Sequence, residues 1–189
     1  MAERHTALRS MHDVGLAAWF GGSLMGAVGL NAAASQARNP TERSSVASAG
    51  WARWTPVNAA AIGAHLVGAT GELVTERGRV AAQSGVGTMS AAKTALTLAA
   101  LGVTGYSRKL GRTIEQAGGA PVDGTTEPSG QTPPHVAAAQ RQLRLLQWAV
   151  PALTGALVII TALAGEQQKP RQVARGVVGR ITGLLRPGR

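Results

Sequence analysis

Five residues of this chain combine ionisable side chains with apolar surroundings: His12, Asp13, His65, Glu72 and Lys93. An imidazole can move a proton or ligate a metal, and a carboxylate can accept a proton or pair with a cation. A desolvated lysine can lose its proton. Such groups are costly within apolar stretches and turn toward a bundle interior. Their spacing agrees with that. Asn58, His65 and Glu72 stand seven apart, as do Gln147, Thr154 and Thr161, and Lys93, Thr97 and Thr104 fall near one face. Seven residues is close to two helical turns, so each set forms a stripe. With His12 and Asp13 at the entry of the first span, these make four polar stripes that describe one polar-lined interior.

Consecutive spans alternate in direction. His12, Asp13, Glu72, Lys93 and Thr161 therefore belong to the end that holds both termini. His65 is expected nearer the midplane, about seven residues or ~10 Å along a helix axis from that layer. At that separation His12 and His65 are poorly placed to grip one haem iron from both faces. Lys93 has two carboxylates to choose from, Asp13 and Glu72. The cluster reads equally as an ion pair that fixes helix register or as relay sites for protons or ions. His65 reads first as a hydrogen-bonded interior histidine. His5 and His135 lie in a terminus and a loop and carry no function in this reading.

The elements that must position these residues are apolar blocks. The hydrophobic share is 44%, yet aromatics are only 3%, so the apolar mass is Ala, Val, Leu and Gly. That composition suits close helix packing in lipid, where small residues let backbones approach. Spans are expected at about 11–31, 55–75, 90–107 and 146–165, each near the ~20 residues that cross a bilayer. The third is the shortest and carries Lys93. The fold class is thus all-α, an integral membrane four-helix bundle over residues 1–166. Residues 167–189 form a basic amphipathic tail, with Val173, Val177, Ile181, Leu184 and Leu185 at helical spacing. The link 113–140 is rich in Gly, Pro, Thr and Ser and reads as a flexible loop, and the link 31–51 reads as polar and partly helical.

The first block shares features with a secretory signal, since Arg4 and Arg9 precede it and Ala32–Ala34 could be cut; Asp13 and its length favour a retained span. The net charge is +10. The basic residues lie between and after the apolar blocks, and few aromatics are available for base stacking. Anionic lipid headgroups, not nucleic acid, are the expected partner. The distribution of Lys and Arg places both termini on the cytoplasmic side of the cell membrane. Trp51, Trp54, Tyr106 and Trp148 all fall at the opposite interface and read as an aromatic belt. Gly22 and Gly26, and Ala152 and Ala156, are small-xxx-small pairs suited to close helix crossing or, secondarily, to backbone approach to a flat cofactor. There is no cysteine, which excludes disulfides, thiolate zinc sites and iron–sulfur clusters.

The first block reads His12-Asp-Val-Gly-Leu-Ala-Ala-Trp19-Phe20-Gly21-Gly22. A histidine followed seven residues later by Trp, an apolar residue and small residues resembles the first helix of a broad group of four-helix bacterial membrane proteins. The group includes the membrane-embedded, haem-linked protoporphyrinogen oxidases and the CopD-like copper-resistance proteins. The stretch Ala92-Lys93-Thr94-Ala95-Leu96-Thr97-Leu98 is similar to their third helix, with its lysine near the start. The resemblance implies haem b as cofactor, His12 as ligand to the haem iron, and Trp19 and Lys93 beside it. The oxidases continue with a Tyr-Leu-Pro-Arg type stretch and a further histidine, where this chain has Ser23-Leu24-Met25-Gly26. Met11, Met25 and Met89 form no copper-ligand spacing. In its Ala/Gly/Arg-rich make-up the chain looks most like an uncharacterised actinobacterial-type membrane protein. The expected function is a small membrane bundle without catalysis, which binds lipid, a membrane-protein partner or a second copy of itself. The alternative is a haem- or porphyrin-binding protein, as a redox enzyme, using His12 and Lys93.

Overall fold

The structure, a computed structural model, describes residues 6–82 and 86–167. Four long helices dominate it: α1 (Thr6–Ser35), α2 (Pro40–Ala82), α3 (Val86–Gln116) and α4 (Pro134–Gln167). A two-stranded hairpin, β1 (Val122–Gly124) and β2 (Glu127–Pro128), joins α3 to α4. Three helices are long and apolar enough to cross a membrane: α1, α2 as far as Thr75, and α4 as far as Gly165. α3 is long enough but more polar, because Lys93, Arg108, Lys109 and Arg112 lie along it. The basic tail lies outside the described residues apart from Gln167, which ends α4.

Neighbouring helices run antiparallel in a square. α1 packs on α2 and α4, and α3 packs on α4 and more sparsely on α2. Among the described residues no backbone contact crosses either diagonal. Trp19, Ala100 and Val150 form the buried centre, with Ile62 and Leu153 against them. A second cluster of Leu110, Ile114, Ala120, Val136 and Ala139 locks α3 to α4 beneath the hairpin.

Local chemistry sets the helix ends, and it makes the helices longer than the apolar blocks alone. Asn39 caps α2: its side chain accepts from the Thr41 amide at 3.0 Å, and Pro40 takes the first helical position. From there α2 runs 43 residues, roughly 65 Å, through Pro56 without a break. Helix therefore fills most of the link 31–51. α1 contains a π-helical turn at Gly26–Leu30, closed by the Asn31 amide on the Gly26 carbonyl. The extra residue in that turn brings Asn31 inward, where it is 8% exposed. Its side chain donates to Gln147 at 2.9 Å and accepts from the Trp51 indole at 2.9 Å, so one residue ties α1 to α4 and α2.

The link 113–140 is largely ordered structure rather than a featureless loop. Its first residues continue α3 to Gln116 and its last begin α4 at Pro134. Gly118 and Gly119, at φ 63° and 85°, end α3 in the left-handed region that glycine adopts freely. The hairpin that follows is pinned from three helices. Arg43 donates to the Val122 and Asp123 carbonyls, Ser44 to that of Ala120, and buried Gln140 to those of Gly124 and Thr125. Thr125 donates to the Asn31 carbonyl. Pairing of Val122 with Pro128 and of Gly124 with Glu127 completes the cap.

Candidate functional site

The polar interior begins with how α1 meets α2. Gly15 lies against Ala61 and the His65 backbone, and Gly68 lies against the backbone of Leu8 and His12. Neither position has room for a β-carbon. This close approach puts His12 and His65 in contact, with ring centroids 4.5 Å apart and planes tilted by 42°. Both side chains are buried. The sequence expectation set these histidines about two turns apart in depth. That estimate placed His12 at the entry of its span, whereas α1 starts at Thr6 and carries His12 well into the bundle.

Each ring has one nitrogen engaged. His12 Nδ1 lies 2.8 Å from Asp13 Oδ1, and His65 Nδ1 donates to the His12 carbonyl at 3.3 Å. A carbonyl only accepts, so His65 carries a proton on Nδ1, and in the neutral ring Nε2 is then the acceptor. Both Nε2 atoms are buried with no hydrogen-bond partner among the described residues. Trp19 extends the column: its ring centroid is 6.1 Å from that of His65, and its indole donates to Thr104 on α3 at 3.2 Å.

Lys93 stands apart from this column. Its ammonium is 3.9 Å from Glu72, which also faces Arg9 at 3.7 Å, and the Lys93 and Glu72 side chains are each about one-fifth exposed. Of the two carboxylates open to it, Lys93 takes Glu72, while the half-exposed Asp13 serves His12. The structure thus separates the polar cluster into an interior histidine–tryptophan column and a cation–carboxylate group at the terminal end.

A porphyrin was the cofactor implied for His12. The His12 ring is fully buried, in tilted contact with His65, and bounded by helix backbones that touch through Gly15 and Gly68. A flat macrocycle does not fit beside it in this packing. Among the described residues no group of three or more His, Cys, Asp or Glu is placed to hold a metal ion.

The stripes do face inward: Asn58, Thr97, Thr104, Gln147 and Thr161 are partly buried and Thr154 fully so. Two of the four belt aromatics do not face outward. The Trp54 ring fills the space beside Gly22 and the Trp51 ring that beside Gly26, so both turn into the bundle. Tyr106 and Trp148 are exposed, at 44% and 50%. Depth placed all four in a belt, but depth carries no information on which way a ring points.

A cavity of about 270 Å³ opens at the hairpin end, between α2, α3 and α4. Trp51, Trp54, Asn58, Arg108, Leu146 and Gln147 are among its walls. The cavity was not legible in the sequence. Its one trace there is that Asn58 and Thr104 continue the stripes of His65 and Lys93 into this end. Comparison with protein-family models, with curated proteins and with solved structures finds no match to this chain.

Proposed function

We propose that this chain is an integral protein of the cell membrane that crosses the bilayer four times and serves as a binding or accessory bundle without catalysis. The observation that carries this reading is the inverted distribution of polarity. His12, His65, Gln140 and Thr154 are fully buried, while Val14, Val67, Leu98, Leu145 and Ile159 are each more than half exposed. A water-facing surface of that kind would be a large apolar liability, whereas hydrocarbon accepts it. Leu98 extends the outward apolar face to α3, which supports counting α3 as a span despite Lys93. The hairpin end carries the exposed aromatics Tyr106 and Trp148, as an interface does. The basic distribution favours cytoplasmic termini.

The chain has no cysteine, so single cysteines report topology cleanly. Ala7→Cys and Gly130→Cys, both at exposed positions, should react with a membrane-impermeant maleimide from opposite sides of sealed vesicles. Reaction from the same side would mean that α3 does not cross.

One observation favours the haem alternative. Asp13 holds His12 Nδ1 and leaves Nε2 buried without a partner, which is how a carboxylate orients a ligating imidazole. That reading requires α1 and α2 to part. A Soret band in protein supplemented with haem, lost in His12→Ala, would support it; no band would remove it.

A further inference from the structure

The cavity at the hairpin end lies among helices that elsewhere close tightly. α1 and α2 meet backbone to backbone at Gly15 and Gly68, and α3 meets α4 through a packed aliphatic cluster. Between α2 and α3 the helices touch most sparsely, and there the void persists. Its walls are graded. Toward the bundle centre they are mainly apolar, with Ile62, Leu146 and Val150, though Asn58 and Thr104 stand among them. Toward the hairpin they are polar, with Arg108, Glu115 and Thr125. Four wall residues carry a buried polar atom that no described residue satisfies: Trp54 Nε1, Asn58 Oδ1, Ser107 Oγ and Arg108 Nε. Three of these four are donors. A buried donor without a partner is costly, so ligand oxygens reached by a rotamer change would be favourable partners.

Charge narrows the ligand further. Arg108 bonds Glu115 through Nη1 at 3.2 Å, so the rim itself is close to balanced. The surrounding end of the bundle is not. Arg38, Arg43, Arg53, Arg108, Lys109, Arg112, Arg141 and Arg144 face Glu42, Glu115, Asp123 and Glu127 there. The field at the mouth favours an anion.

Resting on the four-span reading above, we propose that this cavity binds a small amphipathic carboxylate, with its head at the Arg108 rim and its apolar body toward Ile62 and Val150. The volume is at the low end of small-molecule sites, which suits a medium-chain acid rather than a whole phospholipid. Trp51 and Trp54 in the wall supply the readout.

The test uses the full chain in lipid nanodiscs, titrated with decanoate brominated at its far end, a quencher of tryptophan emission. Saturable quenching is expected. Gly105 lines the void, and a β-carbon there meets nothing within 4 Å, so Gly105→Leu fills the cavity without a backbone clash. It should weaken binding by about tenfold or more. Gly102→Leu, also open but outside the lining, should leave binding unchanged. Arg108→Gln should weaken binding of the acid and not that of the correspondingly brominated decanol. Quenching that never saturates, or that is equal in Gly105→Leu and wild type, overturns the site. Quenching by brominated phospholipid alone that depends on Gly105 would assign the cavity to a bilayer lipid and overturn the free acid as ligand. The two readings fail separately: a chain that does not insert, or that labels Ala7→Cys and Gly130→Cys from one side, refutes the four spans. A correctly inserted chain without saturable quenching refutes only the site.

Discussion

At the scale of single residues, the glycines show which contacts hold the interior histidines together. Gly15 and Gly68 meet backbone on the partner helix, so a methyl group at either position pushes α1 from α2. Gly15→Ala and Gly68→Ala should each destabilise the protein by about 1–3 kcal/mol, the usual cost of overpacking. Gly102→Ala, in open space on α3, should be neutral or stabilising by up to about 1 kcal/mol through helix propensity. Thermal unfolding in one mild detergent measures all three, and equal behaviour of the three variants would remove the seam. The polar stripes were legible in the sequence because a spacing of seven fixes a helix face. The contact of His12 with His65 was not, because it depends on where α1 begins and on how close two backbones come. Gly68 gave no hint of its own, since a glycine four residues from another small residue is ordinary in a membrane helix.

Among the elements, the helices were legible by existence and order, and less so by length. Apolar content marks where a chain can sit in hydrocarbon, but helices end where capping ends them. Asn39-Pro40 and Gly118-Gly119 set those limits here, both outside the apolar blocks. The hairpin is the element furthest from its sequence expectation. Val122 and Val136 are completely buried within a stretch whose Gly, Pro, Thr and Ser content suggested a loop. A few hydrogen bonds from distant residues do what composition does not show. Gln140 supplies two of them from a fully buried position. Gln140→Leu should leave the Gly124 and Thr125 carbonyls without these donors and loosen the cap, at about 1–3 kcal/mol. Limited proteolysis within 117–133 should then run faster than in wild type while the helices stay intact by circular dichroism. Unchanged proteolysis would show that Arg43 and Ser44 suffice to hold the hairpin.

For the whole molecule, the open question in the sequence was whether α3, with its lysine, belongs to the bundle. The structure gives Lys93 a place at the terminal end beside Glu72, which it shares with Arg9. A cation in this position does not have to be solvated by lipid, because the carboxylate on α2 meets it. Removing the two partners should therefore have unequal effects. Glu72→Gln takes away the anion that Lys93 and Arg9 share and lets the two cations repel each other. Lys93→Met removes the cation, keeps an apolar side chain of similar length, and leaves Glu72 still paired with Arg9. Breaking a partly buried charge cluster from one side costs more than replacing a member by apolar volume. Glu72→Gln is therefore expected to lower the unfolding temperature clearly, by about 1–3 kcal/mol in stability, and Lys93→Met to lower it little or raise it. The double variant Glu72→Gln with Lys93→Met should recover much of the loss, because Lys93 no longer faces Arg9 across the missing carboxylate. Unfolding in detergent compares the three. Equal loss in both single variants, without recovery in the double, would mean that Lys93 itself stabilises the bundle through Glu72 and that relief of the cation–cation contact is not the governing effect.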